Sequence, residues 1–162
     1  MVSIVVSDVH FRIATGADAE AVAAVYLASR HAFVHYAPLV HSDALVREWI
    51  RLYLIPTGRV TVAERNGEIL GLLALSHDEF TGWIDQLYLR PDMTGHGIGG
   101  QLVARAKDEL GSPIRLYTFQ ANHAAIRFYE RHGFRPIRFG DGTDNEEKAP
   151  DVLMEWREPP SV

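Results

Sequence analysis

The strongest constraint on the fold is a glycine-rich segment between a predicted strand and a predicted helix. Four glycines fall within residues 95–100, after an apolar strand that ends at Leu89 and before a helix with an apolar stripe. Glycine adopts positive φ and lets backbone amides approach an anion without a Cβ atom in the way. A helix N-terminus adds unpaired N–H groups and a favourable dipole. The segment therefore predicts a phosphate-binding turn, and the alternative is a tight turn whose glycines serve only its geometry.

Two helices are predicted between the first strand and the second. Thr15 and Asp18 form a Thr-x-x-Asp capping signal for the first helix, after a strand at 9–14. Ser42 or Asp43 can cap the second helix. We expect the second helix to bury a stripe of four residues, Leu45, Trp49, Leu52 and Tyr53.

The remaining elements indicate a mixed sheet. Asn66-Gly67 between two β-prone runs is a strong hairpin signal, because a type I′ turn needs positive φ at both central positions. The elements after it are a strand at 83–89, a helix at 97–110, a strand at 114–119, a helix at 123–132 and strands from 134 and at 152–156. This order predicts one α/β domain with a mixed, mostly antiparallel sheet and helices on both faces. We expect its core at about 9–157, with loose ends at 1–8 and 158–162.

Composition excludes several classes of function. Lysine and arginine total 16 against 21 acidic residues, a formal charge of -5, which weighs against nucleic acid as a partner. The absence of cysteine removes disulfides, thiolate metal sites and a cysteine nucleophile. The most apolar stretch, 69–75, is too short to span a bilayer, and the first residues lack the basic and apolar regions of a secretion signal. We therefore expect a cytoplasmic protein with no membrane partner.

The glycine segment also matches the dinucleotide fingerprint G-x-G-x-x-G through Gly95, Gly97 and Gly100. That fingerprint expects an acidic residue about 20 positions further on to hold a ribose. Residues 117–120 contain no acid, so a nucleotide-binding redox domain is the weaker interpretation.

Residues 94–99 read Thr-Gly-His-Gly-Ile-Gly, and residues 122–134 read Asn-His-Ala-Ala-Ile-Arg-Phe-Tyr-Glu-Arg-His-Gly-Phe. The first segment resembles the acetyl-coenzyme A motif, Arg/Gln-x-x-Gly-x-Gly/Ala, of the GNAT superfamily of N-acetyltransferases. The second is similar to the Asn-x-x-Ala-x-x-Phe-Tyr-x-x-x-Gly-Phe signature of the same family. The resemblance is close over 83–135. The family's Arg or Gln is Thr94 here. This chain therefore lacks the long side chain that commonly contacts the pyrophosphate and offers the Thr94 hydroxyl instead. Arg90, His96 and Arg105 are candidates to supply positive charge nearby.

The resemblance implies a GNAT fold and the transfer of an acetyl group from acetyl-coenzyme A to a primary amine by direct attack, without a metal. It implies that the strand ending at Leu89 carries a bulge and parts from the next strand, which frees backbone groups of Leu87 and Leu89 for the thioester. The residues that we predict to bind the coenzyme are Leu87, Tyr88, Leu89, Thr94, Gly95, His96, Gly97, Ile98, Gly99, Gly100, Asn122, Ala125 and Phe128.

Two residues are predicted to move protons. The family pattern directs the hydroxyl of Tyr129 at the thioester sulfur, which makes it the candidate general acid; the alternative is a tyrosine that only packs on the sheet. Asp85, in the strand at 83–89, is the candidate general base if burial raises its pKa. An edge carboxylate in solvent is the equal alternative for Asp85.

The acceptor side of the site is less specific in the sequence. The resemblance implies that Phe33 and Tyr36, with the neighbouring His31 and His35, line the pocket of a small-molecule or peptide amine. His31 and His35 lie four residues apart, a spacing that metal sites also use, so a metal site is the weaker alternative for them. The acidic run 141–147 is predicted as a solvated loop, with attraction of a cationic amine as the hypothesis. A coenzyme A-binding sensor without catalysis is the alternative function, and an exposed sheet edge near the C-terminus is a candidate for pairing in a homodimer.

Overall fold

The computed structural model describes residues 8–161, which form one seven-stranded sheet with helices packed on both faces. The strands are β1 (His10–Ile13), β2 (Val60–Arg65), β3 (Glu68–His77), β4 (Gly82–Leu89), β5 (Ile114–Phe119), β6 (Arg135–Phe139) and β7 (Asp151–Trp156). The α-helices are α1 (Ala19–Ala32), α2 (Asp43–Trp49), α3 (Ile98–Leu110) and α4 (His123–Arg131). The predicted fold class, a single α/β domain of this architecture, is confirmed.

The sheet has the order β1-β2-β3-β4-β5-β7-β6. Every neighbouring pair is antiparallel except β4 and β5, which are parallel. The β2–β3 hairpin turns at Asn66 and Gly67, whose φ angles of 50° and 81° confirm the predicted type I′ turn. β6 lies at one edge with all its residues exposed, so the pairing of two copies through this edge stays a prediction.

β3 lies at the centre of two hydrophobic cores, one on each face of the sheet. Its residues from Ile69 to Ala74 are buried without alternation, as expected of a strand covered on both sides. Leu73 belongs to the core formed with α3, and Leu72 to the core formed with α1. The predicted stripe of α3 contributes Ile98, Leu102 and Ala106 to the first core, and all three are fully buried.

The predicted stripe of the second helix is wrong. Leu45, Leu52 and Tyr53 are 55%, 43% and 68% exposed, and Trp49 is partly buried against Tyr26. The buried residues are instead Val46, Ile50 and Leu54, which repeat every four positions. Two apolar stripes lie side by side in this sequence, so local periodicity could not choose between them; α2 continues into a wider π-helical turn, Ile50–Leu54, whose residues pack against α1.

Capping residues define where the first two helices begin. The Asp18 carboxylate accepts a hydrogen bond from the Thr15 N–H at 2.7 Å, at a 3₁₀ turn (Gly16–Asp18) that leads into α1. The Ser42 hydroxyl accepts from the Leu45 N–H at 3.3 Å, so Ser42 rather than Asp43 caps α2.

The two predicted loose ends lie mostly at the limits of the described chain. Residues 1–7 and 162 lie outside the described residues, and 158–161 form no regular element. Within 8–161, every helix is too short or too polar to cross a membrane.

The corrected stripe predicts two different stabilities for neighbouring truncations. Ile50→Ala leaves a cavity in the core between α1 and the sheet, and we expect it to lower the free energy of unfolding by about 2–5 kcal/mol. Leu52→Ala removes an exposed side chain, and we expect a change within about 0.5 kcal/mol. Urea denaturation of both variants measures the difference; equal losses would contradict the assignment of the buried face.

Candidate functional site

An opening between β4 and β5 dominates the centre of the sheet. The two strands pair with each other at only two positions, Gly82 with Ile114 and Trp83 with Arg115. Beyond Trp83 they part, as the sequence resemblance implied. On the other side of β4, the register with β3 jumps by one residue at Asp85, which forms a bulge.

The parting leaves backbone groups of β4 facing the opening. The Arg90 N–H donates to the Leu70 carbonyl of β3 at 2.8 Å. Backbone N–H groups alternate between the two sides of a strand, so those of Leu89 and Leu87 point toward the side that β5 has vacated. Such N–H groups can hold the carbonyl oxygen of a ligand that enters between the strands.

The glycine segment after β4 presents a row of free amides. Gly95 and Gly97 have φ angles of 79° and 85°, which non-glycine residues adopt at a cost, and Gly97 is the N-cap of α3. Among residues 8–161, no backbone or side-chain oxygen accepts a hydrogen bond from the amides of 95–100. The segment therefore has the donors of an anion-binding cradle.

The last two glycines of the segment have a second role, in helix packing. A Cβ atom on Gly99 would lie 3.1 Å from the Phe128 ring, and one on Gly100 would lie 3.1 Å from the His132 ring. Phe128 lies in the second half of α4, and His132 is the residue that follows the helix. The glycines thus bring α4 against the start of α3, which positions the aromatic residues of α4 beside the cradle.

Two of the predicted charge and hydroxyl donors near the cradle are engaged elsewhere. The Thr94 hydroxyl donates to the Pro91 carbonyl at 3.2 Å instead of facing outward for an anion. The Arg90 guanidinium pairs with Asp92 at 2.7 Å and with Glu68 at 3.3 Å, so its charge is compensated. The amides, rather than these side chains, remain the donors of the cradle.

α4 holds Tyr129 at the opening. The Asn122 side chain caps the helix by accepting from the Ala125 N–H at 3.1 Å, and Gly133 ends it with a φ of 88°. Tyr129 is 8% exposed, and its hydroxyl has no hydrogen-bond partner within 8–161. Desolvation raises its pKa above the ordinary value for tyrosine, so the phenol is protonated at neutral pH.

A small cavity of about 130 Å³ passes through the opening in the sheet. Its walls include Tyr129 and Ala125 from α4 on one face and Arg30 and Phe33 from α1 on the other, with Leu87 between them. Residues from opposite faces of a sheet can share one cavity here because β4 and β5 have parted.

A larger cavity of about 870 Å³ adjoins the small one on the α1 side, and the two share Arg30, Asp85 and Tyr88 as wall residues. Tyr88 packs edge-on against Tyr26 of α1, with ring centroids 4.8 Å apart. Its side chain therefore lies on the side away from the cradle, and its role in coenzyme binding stays a prediction.

Carboxylates line much of the large cavity. The predicted acidic loop contributes Asp141, Asp144 and Glu147, and Asp85 faces the cavity from the bulge in β4. Asp85 is exposed, and desolvation by the surrounding walls nevertheless raises its pKa against smaller opposing effects of Ser76 and Arg59. Its exposure agrees with the alternative of a carboxylate in solvent, whereas the direction of its pKa agrees with the alternative of a candidate base.

The predicted acceptor residues have different surroundings. Phe33 lines the small cavity, whereas Tyr36 lies outside both sets of wall residues and stacks on Phe33 at a centroid distance of 5.7 Å. His31 pairs with Asp43 at 3.2 Å. Over the described part of the chain, no cluster of histidine and acidic residues could hold a metal ion.

Sequence reasoning missed Arg30 and Tyr26, which line the large cavity from α1. Val22, Tyr26 and Arg30 follow one another at intervals of four residues and therefore share one face of α1. An arginine at a position of the buried stripe was the signal.

Comparison with known proteins identifies the family of these features. A family model described as the acetyltransferase (GNAT) family matches residues 25–134, more than half of the chain. An aminoalkylphosphonate N-acetyltransferase of Salmonella typhimurium is 34% identical over 96 residues, which are 53% of this chain and 62% of that protein. An acetyltransferase of Pectobacterium atrosepticum is 38% identical over 80 residues, 47% of this chain and 57% of that protein. The chain thus spans less than two thirds of the length of these curated relatives.

Solved structures are similar over almost the whole chain. The PaiA N-acetyltransferase of Thermoplasma acidophilum, solved in complex with coenzyme A, has a TM-score of 0.73 and 21% identity over 93% of this chain and 99% of that chain. YjaB of Escherichia coli, in its apo form, has a TM-score of 0.73 and 20% identity over 91% and 97% of the two chains. At these identities the similarity concerns the fold.

Proposed function

Because the chain belongs to the acetyltransferase (GNAT) family, we propose that it transfers an acetyl group from acetyl-coenzyme A to a primary amine, by direct attack in a ternary complex. One observation carries the proposal: the small cavity joins Tyr129 on one face of the sheet to the acidic cavity on the other. Two substrates that approach from opposite faces can meet there, with a proton donor and a carboxylate at the meeting point.

The cradle fits the pyrophosphate of coenzyme A. The amides of 95–100 are unpaired within the described chain, and no atom lies within 4 Å of a Cβ built on Gly95, so an anion has both donors and room. The coenzyme supplies the acetyl group as an activated thioester. The N–H groups of Leu87 and Leu89, on the open side of β4, would hold the thioester oxygen as negative charge develops, and one such donor is typically worth about 3 kcal/mol.

Tyr129 is the proposed general acid. An ordinary tyrosine has a pKa of about 10 and a thiol about 8.5, so complete proton transfer from a phenol to a thiolate is uphill by about 2 kcal/mol. Desolvation raises the pKa of Tyr129 further and adds to that cost. The hydroxyl therefore donates a hydrogen bond that strengthens as charge develops on the sulfur, and its proton moves to the sulfur as the carbon–sulfur bond breaks. The nitrogen that has attacked loses its remaining extra proton as the amide forms, and this proton restores the phenol.

Asp85 is the proposed general base. It faces the large cavity at the bulge, next to the opening, and an attacking amine must lose a proton to become nucleophilic. Its raised pKa makes it a stronger base than an ordinary aspartate.

The acceptor is proposed to be a small molecule. The large cavity has the volume of an ordinary ligand pocket, and the Salmonella relative is, by its name, an acetyltransferase of aminoalkylphosphonates, which are small amines. Residues 1–162 are proposed to form one N-acetyltransferase domain, and the single sheet that the elements of residues 8–161 share supports this.

Coenzyme binding is tested by thermal shift. A ligand at 100 times its Kd stabilises the folded state by about 2.7 kcal/mol, so acetyl-coenzyme A should raise the melting temperature and NAD should not. Gly97→Val places a side chain at the cradle and should abolish the shift. Gly58→Val is the matched control, because Gly58 also has a positive φ, 73°, but lies far along the chain from the cradle. If the shift persists in Gly97→Val as it does in Gly58→Val, the result contradicts the cradle.

Release of thiol from acetyl-coenzyme A with a panel of primary amines then tests catalysis. Binding without thiol release for any amine would favour the alternative, a sensor of coenzyme A. Stabilisation by NAD and not by acetyl-coenzyme A would overturn the proposal altogether.

Tyr129→Phe should lower kcat by about 10²–10⁴-fold, with little change in the affinity for acetyl-coenzyme A, because it removes the proton donor and keeps the ring. Tyr53→Phe is the control, since Tyr53 is 68% exposed on α2. Steady-state kinetics measure both variants. An unchanged kcat in Tyr129→Phe would remove Tyr129 from the mechanism.

Asp85→Asn should change the pH profile of kcat/KM. A carboxylate acts as a base only when ionised. In the wild-type protein, kcat/KM should therefore rise as the pH passes through the raised pKa of Asp85, and ionisation of Asp85 should cause no further rise above that pH. The variant should be slower, and this rise should be absent from its profile. A rise that is due instead to deprotonation of the substrate amine is recognised because its position changes with the amine used. The same profile in both proteins would place the base elsewhere.

A further inference from the structure

A buried arginine without a counterion faces both cavities. Arg30 of α1 is 8% exposed, and its guanidinium lies over the Phe119 ring at 5.7 Å. Within 8–161 it forms no ion pair with a carboxylate, and its one hydrogen bond donates to the Pro38 carbonyl at 3.3 Å. A guanidinium has five N–H donors, so most of those of Arg30 lack a partner.

The donors of Arg30 that have no partner open into the cavities, because no fully buried side-chain nitrogen or oxygen in residues 8–161 lacks a hydrogen bond. The guanidinium therefore presents free donors on the side that a ligand can reach. By contrast, Arg12 and Arg47 form ion pairs with acidic side chains near the surface. Arg30 points instead to a partner that is not part of the chain.

We propose that Arg30 binds an anionic group of the acceptor, so that the acceptor is a small molecule with both a primary amine and a carboxylate or phosphonate. This rests on the proposed function and names the class of its acceptor. The fork of a guanidinium matches both anions through paired N–H donors. Arg30 is thus a specificity-determining residue and takes no part in proton transfer.

The other charges of the large cavity fit the amine end of such a molecule. Asp141 accepts a hydrogen bond from Thr143 in the same loop, and Asp151, the first residue of β7, accepts one from the Asn145 side chain of that loop. Asp144 and Glu147 have no hydrogen-bond partner among the described residues and leave negative charge facing the cavity.

Acidic groups on the loop and at Asp85 thus face two arginines, Arg30 and Arg138. Arg138 is exposed on β6 and donates to the Tyr117 hydroxyl at 3.0 Å, so Arg30 is the buried cation of the cavity. A polyamine would satisfy the acids and leave Arg30 uncompensated, whereas an amine with an anionic group satisfies both.

The wild-type protein provides the first test, with five probes of similar size. β-Alanine and aminoethylphosphonate carry an amine and an anion, propylamine carries the amine alone, and putrescine carries two amines; propionate carries the anion alone. Affinity is measured by calorimetric titration and turnover separately by thiol release. We expect at least one anionic amine to bind on the order of 10- to 100-fold more tightly than propylamine, the range of a charge-assisted hydrogen bond. The comparison of β-alanine with aminoethylphosphonate distinguishes carboxylate from phosphonate.

Variants of Arg30 provide the second test. Arg30→Gln should weaken the preferred anionic amine by a similar factor and leave the affinities for propylamine and acetyl-coenzyme A unchanged. Arg30→Lys keeps the charge without the fork and should be intermediate. Arg47→Gln, which breaks an exposed pair with Glu20 on the surface, should behave as wild type. The retained affinity for acetyl-coenzyme A reports that each variant is folded.

The outcomes separate this inference from the proposed function. Tighter binding of propylamine or putrescine than of both anionic amines, or equal weakening of all amines by Arg30→Gln, would overturn the role of Arg30 even if amines are acetylated. Arg30-dependent binding of an anionic amine without thiol release would support the role of Arg30 and count against the transferase. If Arg30→Gln does not fold, the preference of the wild-type protein alone decides.

Discussion

The parting of β4 and β5 after Trp83 is the constraint on which the site depends. A fully paired ladder would close the centre of the sheet and use the backbone groups that face the opening. Backbone groups left without partners in a buried position cost about 1–3 kcal/mol each, so an opening of this kind needs a ligand or water to complete it. The surrounding antiparallel pairs, which are continuous from β1 to β4 and from β5 to β6, hold the two halves of the sheet in place.

The opening separates two different electrostatic environments. On the α3 side lies a cradle of amides at a helix N-terminus, which favours an anion such as a pyrophosphate. On the α1 side lies a cavity lined with carboxylates and containing Arg30. The overall charge of -5 describes neither environment, because each is created by a few groups that the fold brings together.

Two polar groups of otherwise buried residues face the opening. The hydroxyl of Tyr129 and most donors of Arg30 have no partner within the described chain, although both residues are more than nine-tenths buried. Buried polar groups are normally hydrogen-bonded, and in residues 8–161 every fully buried side-chain nitrogen or oxygen has a partner, so these free groups are ones that the cavities reach. Both residues line the small cavity, one from each face of the sheet, so the same opening leaves both groups accessible to a ligand.

The sequence by itself determined what depends on neighbouring residues: the hairpin at Asn66-Gly67, the stripe of α3, the capping of α4 by Asn122 and the glycine segment at the end of β4. Tertiary structure decided which face of α2 is buried, that Arg90 is neutralised by Glu68 and Asp92, that Asp85 forms a bulge and that Arg30 reaches a cavity. The physical reason is range. Turn geometry, caps and helical periodicity arise from groups a few residues apart, whereas burial, ion pairing and strand register depend on segments that are distant in the chain until it folds.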